Sequence, residues 1–599
     1  MAERIDEQLR HLEQRFASAG VSRRRFMKIA AGAAAGTAMV DGVARYVGPA
    51  AAAQETFGPD EVFYNSFLTD DPVSFDWNLN LYANADQETF AGLLTFDADL
   101  NAIADWAETF EPNEDTSVWT FNIRPDNQGW SNGTEQRPVT AGDFVFSWRR
   151  QLDPRNGAAY AGFLFDIKNA ERFNTSTAND DGTYTDAEGN PVSAEDLGIV
   201  AVDDYTLEVT MEGPRGYFPQ VVAYIAAVPA PQWAIEEYGS DRWALGGDIP
   251  IWSNGPFLVD AWEREVLVTL KPNPGYWNAE NIKLKRVYDP IIPAESLILA
   301  YEEGEGTQQV DWANVDAANL TRFQDNPELA EQLRRYVYPG IWMLVPSNGV
   351  PPFDQLEVRK AVSHAIDRAR IANITNGLAI EAFCMVPIGV FGFLDDPALA
   401  EIQRFDPDLA MEQLVGTEFE GGQNWPEITM HMRGTEEHLN SDIMANDIVA
   451  QLSENLGMDV KIQVWPEASW RPELFKNEFQ MVWIRWWSDY PDPNNSYGDM
   501  YYSRKSSGKR QAWSNAEFDD LVNEGKGEAD PEKRLEVYRR AEQIIQEDVG
   551  YMPIVYRVDQ YAFKPWVKGV AQNKQGFTVP EGNIYNRMLS VVSVEGRPE

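Results

Sequence analysis

Residues 481–497 read MVWIRWWSDYPDPNNSY, and the rest of the chain is organised around this stretch. Its alternation is that of a strand. Val482, Ile484 and Trp486 fall on one face; Met481, Trp483, Arg485, Trp487 and, if the pattern continues, Asp489 fall on the other. The first face reads as core. The second mixes indole rings with one cation and one anion, a combination costly to bury dry and suited to a wet, concave binding wall. Pro491 and Pro493 stop the strand, so Asp489 is expected where a sheet edge turns into a loop. Arg485 and Asp489 are about 13 Å apart in extended chain. That is too far for a mutual ion pair, so each needs another partner. The alternative is an aromatic core strand whose Asp only holds a turn.

The chain is 599 residues long, more than one hydrophobic core serves, so several domains are expected. Hydrophobic residues at 44% and aromatics at 12% mark a folded protein, not a disordered one. A single cysteine, Cys384, excludes a disulfide framework and a thiolate metal cluster. Four histidines, one of them in the first 53 residues, leave little for a histidine metal site, and no cofactor is expected. The formal net charge is −44; residues 1–53 carry +3 (8 basic, 5 acidic), so the remainder carries −44 − 3 = −47. A surface this acidic repels nucleic acid and anionic membranes.

The first 53 residues read as an address. Ser22-Arg23-Arg24-Arg25-Phe26-Met27-Lys28 precedes a weakly apolar run over 29–40, too short to span a bilayer, and Ala51-Ala52-Ala53 offers a small-x-small cleavage site. No Cys lies near that site and no later apolar run reaches 18 residues, so a soluble exported protein without a lipid anchor is expected.

Along the rest of the chain strands and helices mix, with aromatics clustered at turns, which points to α/β lobes. A strand is expected over 61–67 and a short helix over 88–94. Thr140 with Asp143 forms a helix start before FVFSWRRQL. Residues 174–190 read as a solvated hairpin. Thr177, Asn179, Asp181, Gly182 and Glu188 have calcium-loop spacing, but Thr stands first where Asp is needed. Asp354 with Glu357 reads as a capping box for a helix striped by Val358, Ala361, Val362 and Ala365, with His364 as a packed or surface histidine and not a ligand. A helix over 443–456 should stop at Gly457, and Asp530-Pro531 should start another.

Taken in order, these turns form a series. Phe90-Ala91-Gly92-Leu93-Leu94 comes first, then Trp130-Ser131-Asn132-Gly133 and Pro138-Val139-Thr140-Ala141-Gly142-Asp143. Ser147-Trp148-Arg149-Arg150 precedes Asp153-Pro154, and Ser253-Asn254-Gly255-Pro256-Phe257 precedes Asn273-Pro274. Val358-Arg359-Lys360-Ala361 and Asp489-Tyr490-Pro491-Asp492-Pro493 complete it. The series resembles the family 5 extracellular solute-binding proteins of bacterial ABC importers, nearest their oligopeptide-binding receptors. The likeness runs from about residue 60 to Lys564-Pro565-Trp566-Val567.

That resemblance implies a two-lobed α/β fold of the type II periplasmic-binding-protein class, with an extra subdomain. Residues 54–95, 211–340 and 555–599 would form lobe I, 96–210 the subdomain and 341–554 lobe II, with hinge crossings near 339–347 and 552–556. It implies a monomer without catalysis that closes on a peptide and delivers it to a membrane permease with its ATPase; export by the twin-arginine translocase is expected separately, from the likeness of residues 22–28 to the twin-arginine export signal. In the family's peptide-binding members an Asp before the Pro-rich turn holds the ligand's α-ammonium; Asp489 matches it. Tyr160, Trp470 and Asn314 join it as candidate ligand contacts, with Trp487 on the same strand face. A histidine that faces the ligand's carboxyl end lines up with His438. The family's partner arginine falls on Trp483, a departure, and Arg485, two residues on, is the candidate substitute. The same fold holding an oligosaccharide, a metal chelate or another cationic metabolite is the nearest rival. A secreted hydrolase is the remoter one, since neither G-x-S-x-G nor H-E-x-x-H occurs.

Overall fold

The seven-stranded mixed sheet that carries residues 481–487 runs in the order Trp312–Asn314, Met552–Phe563, Leu333–Pro346, Met481–Trp487, Ile428–Arg433, Val460–Trp465, with Ala379–Glu381 also pairing onto Met552–Phe563. The structure is a computed structural model that describes residues 57–79, 87–434, 440–504, 509–574, 576, 578 and 588–598. The export address and His438 lie outside the described residues.

Both faces of the central strands are covered, and this departs from the sequence reading. Ile341, Met343 and Val345 alternate with Trp342 and Leu344, each set entering a different core. The neighbouring strand does the same: Val482 and Ile484 enter the first core, Met481 and Trp483 the second. Helices Ala516–Gly527 and Pro531–Glu547 contribute Phe518, Tyr538 and Ile545 to the first. Helices Leu356–His364 and Ser441–Leu456 contribute Val358, Val362, Ile448 and Leu452 to the second. The face expected to be a wet wall is therefore dry over its first half; only the C-terminal residues of the strand, from Arg485 on, are partly exposed.

A third core begins at Phe63, takes in Trp106, Trp130 and Trp148, and extends to Val594 near the C-terminus. It lies against a four-stranded sheet (Val62–Tyr64, Arg286–Pro290, Leu267–Pro272, Phe257–Glu263) and a second one (Ile199–Asp203, Thr206–Thr210, Val118–Ile123, Ala107–Pro112). Leu333–Pro346 and Met552–Phe563 pass from the side of this core into the other two. Their ladder is interrupted between Val337 and Ile341, where residues 338–340 bulge out of register.

Several local expectations hold. Asp143 accepts from the Thr140 N–H at 2.8 Å ahead of helix Ala141–Leu152. Gly457 ends Ser441–Leu456 in the left-handed conformation at φ 64°. Asp530 caps Pro531–Glu547, and His364 is buried with Nδ1 at 2.8 Å from the Arg404 carbonyl. The hairpin over 174–190 forms around Tyr184–Thr185.

Two do not hold. Residues 88–94 form a single 3-10 turn, Gln87–Thr89, and then a strand, Leu94–Phe96, because the Asn254 side chain takes both the N–H and the C=O of Ala91 (3.1 and 2.7 Å) and removes them from any helical ladder. The Asp354–Glu357 box is not made: Leu356–His364 begins after Gln355, one residue beyond Asp354, so the three-residue spacing from the cap is lost. Among the described residues no helix is long and apolar enough to cross a membrane.

Candidate functional site

Where the strand Met481–Trp487 ends, a cavity of about 540 Å³ opens, bordered by Tyr160, Trp470, Trp483, Arg485, Trp487 and Asp489. Six of the eight residues expected at a ligand site thus meet at one cavity. Asn314 does not border it; it ends the edge strand Trp312–Asn314, opposite Tyr561.

The loop after the strand is built to hold Asp489 in place. The Ser488 N–H donates to the Pro339 carbonyl (2.8 Å), tying the strand end to the bulge at 338–340. Asn495 Oδ1 accepts from both the Asp489 N–H (3.2 Å) and Trp486 Nε1 (2.8 Å). Asp492 caps Pro493–Ser496 and is clamped by Arg534 through two bonds of 2.6 Å, both side chains buried. Pro493 at the first helical position makes that turn compatible with the abrupt end of the strand.

The Asp489 carboxyl is pushed up to about 7. Burial is the main cause and the charge of Asp499 adds to it, while hydrogen bonds from Asn495 and Tyr224 and the charge of Arg510 pull the other way. Tyr224 belongs to the large core that begins at Phe63, so this carboxyl touches both halves of the molecule. Tyr490 does the same: it stacks on Tyr217 (ring centroids 6.3 Å) and meets Phe163 edge-on (5.8 Å), and its hydroxyl donates to Asp499 at 2.7 Å.

The tryptophans divide the work. Trp483 is 1% exposed, stacked on Trp342 at 5.2 Å, with its indole N–H on Ser441 Oγ (3.0 Å). It forms the floor of the cavity, and its polar edge is already spent. Trp487 is half-buried, edge-on to Tyr338 and Trp342, and carries the Arg485 guanidinium on its face at 4.5 Å. Ile484 and Trp486, assigned from alternation to plain core, border the cavity as well, since it opens around the strand's end and not along one face.

Sequence reasoning missed Arg433, Arg471, Arg510 and Glu467, which also line it. Glu467 pairs with Arg433 at 3.2 Å, and the Arg510 guanidinium lies over the Trp486 ring at 4.7 Å. Burial lowers the Arg510 pKa. No spacing rule links residues 433, 471 and 510: Arg433 ends a strand, Arg471 lies on helix Glu467–Leu474 and Arg510 on a loop, and only the tertiary fold brings them together.

Gly340 sits opposite Trp487 in the ladder, and a Cβ there would overlap the indole ring. Gly340→Ala is expected to cost about 1–3 kcal/mol of stability by displacing the ring. Thermal unfolding checks the loss, and an unchanged midpoint would show the ring is free to move.

Residues 101–508, more than half of the chain, match the family described as bacterial extracellular solute-binding proteins, family 5 Middle. The chain is 28% identical over 510 residues to the oligopeptide-binding protein OppA of Bacillus subtilis, covering 84% of this chain and 87% of that one. It is 27% identical over 519 residues to the periplasmic oligopeptide-binding protein OppA of Escherichia coli, covering 85% and 88%. Its fold is similar to the unliganded open form of the periplasmic murein tripeptide binding protein MppA, with TM-score 0.69, 22% identity, and coverage of 89% of this chain and 98% of the other. With its mixed sheets and the cavity at the end of a buried strand, the chain belongs to the family 5 bacterial extracellular solute-binding proteins.

Proposed function

We propose that this chain is the extracytoplasmic binding component of an ABC peptide importer, capturing oligopeptides between two lobes and passing them to a permease and its ATPase. The observation that carries the reading is Asp489: a carboxyl at the wall of an aromatic cavity, raised to about 7 and in reach of Tyr224 from the other half of the molecule. A peptide α-ammonium beside it would put a charge-assisted pair in place of a half-buried carboxyl whose ionisation is disfavoured. Arg485, Trp487, Trp470 and Tyr160 would contact the ligand, above the floor made by Trp483.

The lobes are taken as 54–95, 211–340 and 555–599 for the first, 96–210 for the subdomain, and 341–554 for the second, with the crossings through Leu333–Pro346 and Met552–Phe563 as hinge. The interrupted ladder at 338–340 supports a bend there. A ligand touching both halves binds the closed arrangement better and shifts the population toward it, with no chemical step. Export through the twin-arginine route and action as a single copy complete the reading.

Thermal-shift measurements against di- to pentapeptides, their N-acetylated forms and oligosaccharides test it. Free-amine peptides are expected to raise the unfolding temperature and the others not. Stabilisation by sugars alone would replace the peptide assignment with a carbohydrate one.

A further inference from the structure

The ladder joining Leu333–Pro346 to Met552–Phe563 lapses at the bend. Val337 pairs with Val558 and Ile341 with Tyr556, so Tyr338, Pro339 and Gly340 of one strand face a single residue of the other, Arg557. The Arg557 backbone pairs on the opposite edge, with Ala379, and its side chain spans the gap. Asp559 holds the guanidinium on its own strand at 2.7 Å and also accepts from the Tyr561 hydroxyl at 2.9 Å. The guanidinium lies 4.3 Å from the centre of the Tyr338 ring and 5.1 Å from that of Trp487. Its side chain is mostly buried, where a cation on a ring face is held more tightly than at a surface.

The bulge is fixed to the cavity wall residue by residue. Tyr338 meets Trp487 edge-on at 5.6 Å. The Pro339 carbonyl accepts from the Ser488 N–H at 2.8 Å. Gly340 lies opposite Trp487 with no room for a Cβ. A change in the angle of the bend therefore moves the Trp487 ring, and Asp489 follows two positions after it.

We propose that Arg557 is a positioning residue for ligand capture: by stacking on Tyr338 and Trp487 together, it couples the angle between the crossing strands to the ring that borders the cavity. The proposal rests on the receptor reading above and adds the element through which a bound ligand sets the hinge. A backbone ladder resists bending because each of its bonds is directional. A flat guanidinium on a ring tolerates sliding, so the connection survives a change of angle where a ladder would break. A ligand resting on Trp487 favours the arrangement in which the stack is complete, and the stack in turn raises the fraction of receptor competent to bind.

The test uses the whole protein, with spin labels introduced by Leu299→Cys and Val415→Cys at exposed positions of the first and second lobes, and calorimetry with Ala-Ala-Ala and Ala-Lys-Ala. The native Cys384 is buried and stays unlabelled. Tyr338→Leu removes the ring and keeps the Arg557–Asp559 pair; Arg557→Lys keeps the charge and loses the plane. Each is expected to weaken both peptides by about three- to thirtyfold with their ratio unchanged, and to broaden the label-distance distribution of the peptide-bound form. Tyr338→Phe, which keeps the ring, is expected to rescue both. Should Tyr338→Leu fail to fold, Arg557→Lys carries the test. A parental distance distribution in the variants, whatever their melting temperature, or a loss confined to one peptide would show the stack to be packing and overturn the inference. So would a parent whose label distance does not change on binding peptide. A parent that binds neither peptide would instead sink the receptor reading.

Discussion

Asp489→Asn is expected to weaken free-amine peptides by about 2–5 kcal/mol, the usual cost of removing one partner of a desolvated charge pair, and to leave N-acetylated peptides unaffected. The same substitution should make the ligand-free protein slightly more stable at neutral pH. The folded-state pKa of Asp489 is raised to about 7, so proton binding favours the folded protein. The destabilisation from its charge is absent below its ordinary value near about 4, grows as pH rises toward 7, and is complete above it. Asn carries no charge and escapes that destabilisation. A variant that binds worse and melts higher is the signature of a group strained for function.

The pH dependence of binding has the opposite sense. The peptide ammonium pairs with the ionised carboxylate, so affinity should fall as pH drops through about 7, by up to about a hundredfold at pH 5 relative to pH 8. Calorimetry at both pH values, with an N-acetylated peptide as reference, checks this. Equal affinity of variant and parent, or a flat pH profile, would remove Asp489 from the ammonium role.

The second large effect belongs to stability. Arg534→Met leaves the Asp492 carboxylate buried beside no cation, which is expected to cost about 3–5 kcal/mol. The Asp492→Asn, Arg534→Met double variant should recover much of that, because a buried pair replaced on both sides costs far less than a pair broken on one. Thermal unfolding of the three proteins reads the difference. Peptide affinity should drop in the single variant as well, since Asp492 caps the turn that follows Asp489 and Arg534 also lies over the Tyr217 ring of the other half at 5.3 Å. If the single variant melts with the parent, the clamp contributes nothing and the loop is held by Asn495 alone.

Local signals in the sequence were sound where a side chain answers to its own neighbours in the chain. Thr140 with Asp143, Gly457 and Asp530 mark helix ends as expected, since a cap is satisfied within three or four residues. The alternation over 481–487 correctly announces a strand, and the two prolines correctly announce its end. The order of the turns was enough to indicate the family. The same local logic failed over 88–94, where a distant Asn254 outbid the helix for the Ala91 backbone, and at Asp354.

What no local pattern holds is which strands lie side by side. Alternation says that Trp483 and Arg485 share a face, but whether that face is wet depends on Trp342 from one neighbouring strand and on helix Ser441–Leu456 above it. The four cavity arginines come from residues 433, 471, 485 and 510, on two strands, one short helix and a loop that only the tertiary fold brings together. Sequence alone determined the strand, its stop and the lone carboxyl beyond it. The tertiary structure decided the burial that raises that carboxyl and the cations that surround it, because desolvation and charge act through space between segments the chain keeps far apart.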